Sequence, residues 1–75
     1  MEQLIGQVQK NSTEIVKVII TEHKGHSLVD ARVYFPDKNG EWHPTKKGLA
    51  LKAAAVKELL PLLQEAAEKL TDGKS

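Results

Sequence analysis

The sequence contains no cysteine, which excludes a disulfide framework and any thiolate-ligated metal or cluster. Trp, Tyr and Phe occur once each, too few for an aromatic core, so each ring must be accounted for singly. No apolar run approaches the roughly 18 residues that span a bilayer, and no secretory leader pattern is present. A soluble, intracellular protein is therefore expected. Charge of one sign is also lacking: 11 basic and 10 acidic residues leave a net +1, which selects no partner by itself. Finally, length is lacking. A chain of 75 residues forms one domain at most, and such a chain hides only about 60% of the surface that its unfolded form exposes. With disulfides and cysteine-bound metal excluded, association with a second copy is the expected source of further stability.

Charge is unevenly placed. Residues 10–52 hold eight Lys/Arg against five Asp/Glu, and residues 53–75 hold three Lys against four acids. The first two-thirds is mildly basic, which permits a polyanionic partner. The period of the apolar residues changes near Lys52. Upstream, β-branched runs alternate with turn signals and predict strands at about 3–9, 14–23, 27–35 and 41–46. Asn11-Ser12-Thr13 and Lys24-Gly25 read as turns. Asn39-Gly40 reads as a type I′ hairpin with both residues at positive φ. Pro44 marks its strand as an edge or a bulge, and Gly48 to Leu51 reads as a short extended exit. Downstream, Val56, Leu59, Leu60, Leu63, Ala67 and Leu70 recur at steps of three and four and predict one amphipathic helix at about 53–70. The apolar phase passes through Pro61 unbroken, so one kinked helix is expected rather than two. Thr71, Asp72 and Gly73 end it, and 72–75 form a frayed tail.

The predicted fold is therefore α+β: a four-stranded antiparallel sheet followed by one C-terminal helix, β-β-β-β-α, in a single domain spanning 1–71. One small sheet covers only part of a helix of this length. A two-fold partner would bury the rest through the six apolar helix positions just named.

Alternation along 27–35 places Val29, Ala31, Val33 and Phe35 on one face and Leu28, Asp30, Arg32 and Tyr34 on the other. Arg32 with Tyr34 suits a nucleic-acid surface, since a guanidinium neutralises phosphate and a ring offers a sequence-indifferent π-face. A cross-strand salt bridge and a rim aromatic are the simpler account of the same pair. Lys46-Lys47-Gly48 brings two cations and bare backbone together, yet lacks the spacing of a phosphate-binding P-loop. His23-Lys24-Gly25-His26 gathers polar groups at a hairpin tip. It lacks the further ligands zinc requires, His43 being remote in sequence, so no metal or cofactor is expected. Trp42 reads as partly exposed and Phe35 as core. Ser27 and Asp30 near His26 have poor geometry for a triad, and no carboxylate pair is evident, so the chain is not expected to be an enzyme.

The block His23-Lys24-Gly25-His26-Ser27-Leu28-Val29-Asp30-Ala31-Arg32-Val33-Tyr34-Phe35 resembles the single-stranded-DNA-binding domain of the transcriptional coactivator positive cofactor 4. A second block, Asn39-Gly40-Glu41-Trp42 and then Pro44-Thr45-Lys46-Lys47-Gly48-Leu49-Ala50-Leu51, resembles that family's second motif at the matching distance. The resemblance implies a dimer built around the helices, with curved sheets forming grooves for unpaired strands. It carries contact roles to Lys24, Arg32, Phe35, Lys46, Lys47 and Gly48. His23 and His26 replace the family's aromatic and second lysine, and Ala31 and Val33 replace its Ile and Glu. The histidine changes remove one stacking ring and one permanent charge, which implies weaker or more pH-sensitive binding. The Ser-rich regulatory N-terminus of eukaryotic members has no counterpart, so the chain resembles the short stand-alone bacterial and phage versions.

Sequence and resemblance together give an expected homodimeric, largely sequence-independent single-stranded DNA-binding protein acting in transcription regulation or in replication and repair. Its expected nucleic-acid site is His23, Lys24, Gly25, His26, Arg32, Tyr34, Phe35, Trp42, Lys46, Lys47 and Gly48. The transcription machinery is a further expected partner. The expected location is cytoplasmic and nucleoid-associated in a bacterium, or nuclear in a eukaryote. The alternatives are an RNA-binding version of the same surface and a dimeric protein-interaction module without nucleic acid.

Overall fold

A computed structural model describes residues 2–72; of the expected frayed tail, residues 73–75 lie outside this range. Strands β1 (Gln3–Gln9), β2 (Ile15–His23), β3 (His26–Pro36) and β4 (Trp42–Leu51) precede the helix α1 (Ala53–Asp72). The strands form one open, curved antiparallel sheet in the order β1-β2-β3-β4, so sequence neighbours are also spatial neighbours. Short turns explain this meander, because antiparallel partners can be joined by a few residues.

The three connections differ in construction. Between β1 and β2, the Asn11 side-chain oxygen accepts the backbone N–H groups of Thr13 and Glu14, both at 2.9 Å. Such a side-chain bond to the backbone is why Asn favours turns. Between β2 and β3, Lys24 (φ 53°) and Gly25 (φ 81°) both adopt positive φ, and His23 pairs directly with His26. This is the two-residue turn that matches strand twist.

The β3–β4 connection corrects the expectation for Asn39-Gly40. Gly40 has φ 82°, but Asn39 does not share the positive region. The loop is longer than a two-residue type I′ turn: the Gly40 N–H donates to the Asp37 carbonyl at 3.0 Å and the Asp37 N–H to the Glu41 carbonyl at 2.8 Å. Asp37 displaces the expected turn because its carboxylate accepts the Asn39 and Glu41 N–H groups at 2.8 and 3.0 Å. The result matches a three-residue loop closed by glycine in the left-handed region.

β4 also runs further than expected, to Leu51 rather than about Lys46, because pairing resumes after a register shift and continues from Gly48 to Leu51. Pro44 is tolerated because β4 is both an edge strand and bulged. The helix is continuous through Pro61. At about 100° per residue, Pro61 falls within the polar arc, away from the leucines. There the lost backbone bond faces away from the apolar stripe.

The core of the chain is slight. Ile15 and Val33 are the buried hydrophobic residues, at 4% and 8% exposure. The helix approaches the sheet mainly at β3, and Val56 and Leu59 are half-buried. Leu60, Leu62, Leu63 and Leu70 remain exposed. The radius of gyration is 14.4 Å, where a compact chain of this length has about 11 Å. The chain is thus a flat body with an apolar helix face left uncovered.

Candidate nucleic-acid interface

Cross-strand register places Gln7, Lys17, Arg32 and Gly48 in one row across all four strands, on one face of the sheet. Ile15, Tyr34 and Pro44 form the adjacent row on that face. The Lys17 ammonium stands 4.6 Å from the centre of the Tyr34 ring, a cation–π contact. Lys17 was not among the residues expected from sequence. Its signal was present, as the one cation within the otherwise apolar run Ile15–Ile20, but only the register shows that it lies opposite Arg32.

The β3–β4 pairing is irregular at the centre of this region. Arg32 lies opposite Gly48 and Tyr34 opposite Pro44, so Val33 alone faces Thr45, Lys46 and Lys47. The bulge lifts both lysines out of regular pairing, and both are exposed. Neither ammonium takes part in an ion pair among the described residues. Gly48 is required here. A Cβ at this position would lie 2.6 Å from the Ala31 carbonyl oxygen and 2.8 Å from the Arg32 Cα.

Arg32 is not free. Its Nη2 donates to Asp30 Oδ1 at 2.9 Å, its Nε donates to the same carboxylate at 3.2 Å, and its Nη1 donates to the Thr45 carbonyl at 2.9 Å. Bonding to Asp30 raises the Arg32 pKa further above its ordinary value. The salt-bridge alternative for this residue is therefore realised, with a partner two residues away on the same strand rather than across it.

Phe35 and Trp42 are 45% and 40% exposed. Phe35, expected in the core, lies instead near the loop that closes the β3–β4 hairpin, paired with His43. Its ring centre is 6.4 Å from that of His43, tilted by 50°. Register sets Phe35 on the face opposite Arg32 and Tyr34, while Trp42, paired with Pro36, shares their face. The two rings thus flank the sheet edge from opposite sides.

His43 also joins a group absent from the sequence expectation. Its Nε2 lies 2.6 Å from Asp37 Oδ2, and Glu41 completes a set whose ligand-type atoms all fall within 4.8 Å. The closure of the loop accounts for this arrangement, since Asp37 is already satisfied by two backbone amides and His43. The Asp37 carboxyl is held below its ordinary value, first by His43 and then by the Glu41 amide. In the β1–β2 turn, at the same end of the sheet as the Asp37 loop, hydrogen bonds from Asn11 and Lys10 lower the pKa of Glu14, with a smaller attraction from Lys47.

The residues expected from sequence fall into two groups on the sheet. Arg32, Tyr34, Phe35, Trp42, Lys46, Lys47 and Gly48 gather on the β3–β4 half. His23, Lys24, Gly25 and His26 stand at the β2–β3 tip. Six residue steps along β3 lead from His26 to Arg32, about 20 Å of strand.

Solved structures with the same fold include a PC4 homolog from Burkholderia pseudomallei, 24% identical, with a TM-score of 0.83 over 91% of this chain and 92% of that one. A second crystal form of that protein gives a TM-score of 0.81 at 24% identity, over 89% of this chain and 98% of that one. A bacteriophage T5 homolog of the eukaryotic transcription coactivator PC4, implicated in recombination-dependent DNA replication, is 25% identical. It aligns with a TM-score of 0.55 over 93% of this chain and 96% of that one. No curated protein matches the sequence significantly. The family model of the transcriptional coactivator p15 (PC4) matches residues 10–62, which contain β2, β3, β4 and the first half of the helix. The chain belongs to the transcriptional coactivator p15 (PC4) family.

Proposed function

We propose that this protein is a homodimeric, largely sequence-independent binder of single-stranded DNA, acting in transcription or in replication linked to recombination. The observation that carries the proposal is the β3–β4 bulge. It presents two exposed lysines, in no ion pair among the described residues, on the edge strand of a hairpin that also carries three partly exposed rings. Cations displace counterions from phosphates, giving binding that weakens with salt and tolerates any sequence. Rings add about 1–3 kcal/mol per stacked base, and only unpaired bases present their faces freely. The homolog implicated in DNA replication supports the same direction.

Dimerisation is proposed from the helix. Leu60, Leu63 and Leu70 are exposed in the protomer, and pairing would remove them from water. Ala67 lies between them on the same stripe, and Leu62 widens it. Leu63→Glu is expected to convert a dimer to a monomer in sedimentation analysis. An unchanged mass would remove the helix from the interface.

Trp42 reports on the nucleic-acid reading directly. Titration with an unstructured oligonucleotide of about 16 nucleotides at low salt is expected to quench its fluorescence and raise the oligonucleotide's anisotropy. Duplex of the same length is expected to bind more weakly. Salt-independent binding, or preference for duplex, would overturn the proposal. A matched RNA strand separates the RNA alternative. Clean dimerisation without binding to either strand would leave the interaction-module alternative, which the near-neutral net charge favours.

A further inference from the structure

We infer that Arg32 serves the nucleic-acid surface as a positioning residue, locking the β4 bulge into the shape that presents Lys46 and Lys47. The consequence for binding rests on the function proposed above, whereas the geometry concerns the protein alone.

The argument begins with Asp30. It is 7% exposed, the buried charged residue among the described ones. A buried carboxylate needs a partner, and Arg32 supplies one through Nε and Nη2. The pair carries no net charge, so it displaces few counterions on its own account. With Nη1 donating to the Thr45 carbonyl, three of the five guanidinium N–H groups are committed inside the protein.

Thr45 is where the bulge begins. Three residues of β4 facing one of β3 leave backbone groups without regular ladder partners. Side chains replace them. Arg32 takes the Thr45 carbonyl, Thr45 Oγ1 donates to the Val33 carbonyl at 2.9 Å, and the Lys47 N–H donates to Thr45 Oγ1 at 3.1 Å. Gly48 then lets β4 close against β3 beside Arg32. The chain Asp30–Arg32–Thr45–Lys47 thus runs from a buried anion to an exposed cation. A guanidinium kept for phosphate would instead stand clear of its own protein.

The two roles predict opposite signs for Asp30→Asn. Removing the carboxylate frees a cation and raises net charge by one, so a contacting Arg32 would tighten binding. A positioning Arg32 loses its anchor, and single-strand affinity is expected to fall about tenfold. Thr45→Val, which changes no charge, is expected to reduce the salt slope by about 0.7, the share of one phosphate contact on a single strand. Thr45→Ser keeps Oγ1 and is expected to restore the slope. Melting of each variant separates these effects from loss of fold.

Backbone amide exchange at Lys46 and Lys47, measured without nucleic acid, provides an independent arm. Asp30→Asn is expected to accelerate it, although Asp30 touches neither lysine. Tighter binding by Asp30→Asn, or unchanged exchange together with an unchanged Thr45→Val slope, would overturn the inference. If the parent protein binds no oligonucleotide, the proposed function fails. The exchange arm then decides alone: acceleration supports the lock, and no change overturns it.

Discussion

The two hairpins that share β3 are built on opposite plans. β2 and β3 pair without interruption from Ile15↔Tyr34 to His23↔His26 and turn in two residues. β3 and β4 pair through a shift at Arg32/Tyr34 and turn through a loop organised by Asp37. The regular hairpin keeps an unbroken backbone ladder, with the Lys17–Tyr34 contact across it. The irregular one requires Arg32, Thr45, Asp37 and Gly48 to replace what the ladder lacks, and it is there that lysines and rings collect. In this small sheet, one hairpin acts as scaffold and the other as candidate site.

Substitution at glycine should separate the two plans most strongly. Gly48→Ala is expected to cost about 1–3 kcal/mol, because the new Cβ meets β3 backbone that cannot move aside. Thermal melting measures this, and a neutral result would mean that β4 is not held close to β3. Gly25→Ala meets no neighbouring atom and pays only for its positive φ, about 1–2 kcal/mol. Its register, read from cross-strand NMR contacts, should be unchanged.

Charge removal tests which hairpin binds. Replacing Lys46 and Lys47 together by Ala is expected to lower the single-strand salt slope by about 1.4. Lys24→Ala, at the distant tip, should lower it by less than half as much. Equal effects per lysine would spread the site over both hairpins.

The smallest expected difference is in acid. Asp37 has its folded pKa depressed below the ordinary 3.8, chiefly by His43. Its contribution is therefore present above that ordinary value and is lost as pH falls through the depressed one. The Gly40 amide resonance should shift in this acid range and the Gly25 amide should not, since the Lys24-Gly25 turn is closed by the backbone pair His23↔His26. Asp37→Asn should abolish the step.

Much of this architecture was legible in the residues. β1 lies where alternation and the Asn11 cluster put it, and the helix begins at Ala53, where the period changes. Lys24-Gly25 reads correctly as a tight turn because only local φ preferences operate there. Asn39-Gly40 misled because Asp37, two residues earlier, competes for the same amides, and a dipeptide signal does not include it. Phe35 looked like core from alternation alone, but its strand is next to the sheet edge, where it stays 45% exposed beside His43. Lys17 escaped notice because its importance lies in register with Arg32, not in its own neighbours.

The sequence by itself determined the element order, the tight turn, the helix stripe and the family, since each depends on residues close together or on a motif carried intact. Tertiary structure alone decided that Arg32 is tied to Asp30 and Thr45, that the lysines stand on a bulge, and that the rings flank an open edge. Those outcomes depend on which strands meet and with what offset, and pairing offset is set by long-range backbone bonding that no local pattern encodes.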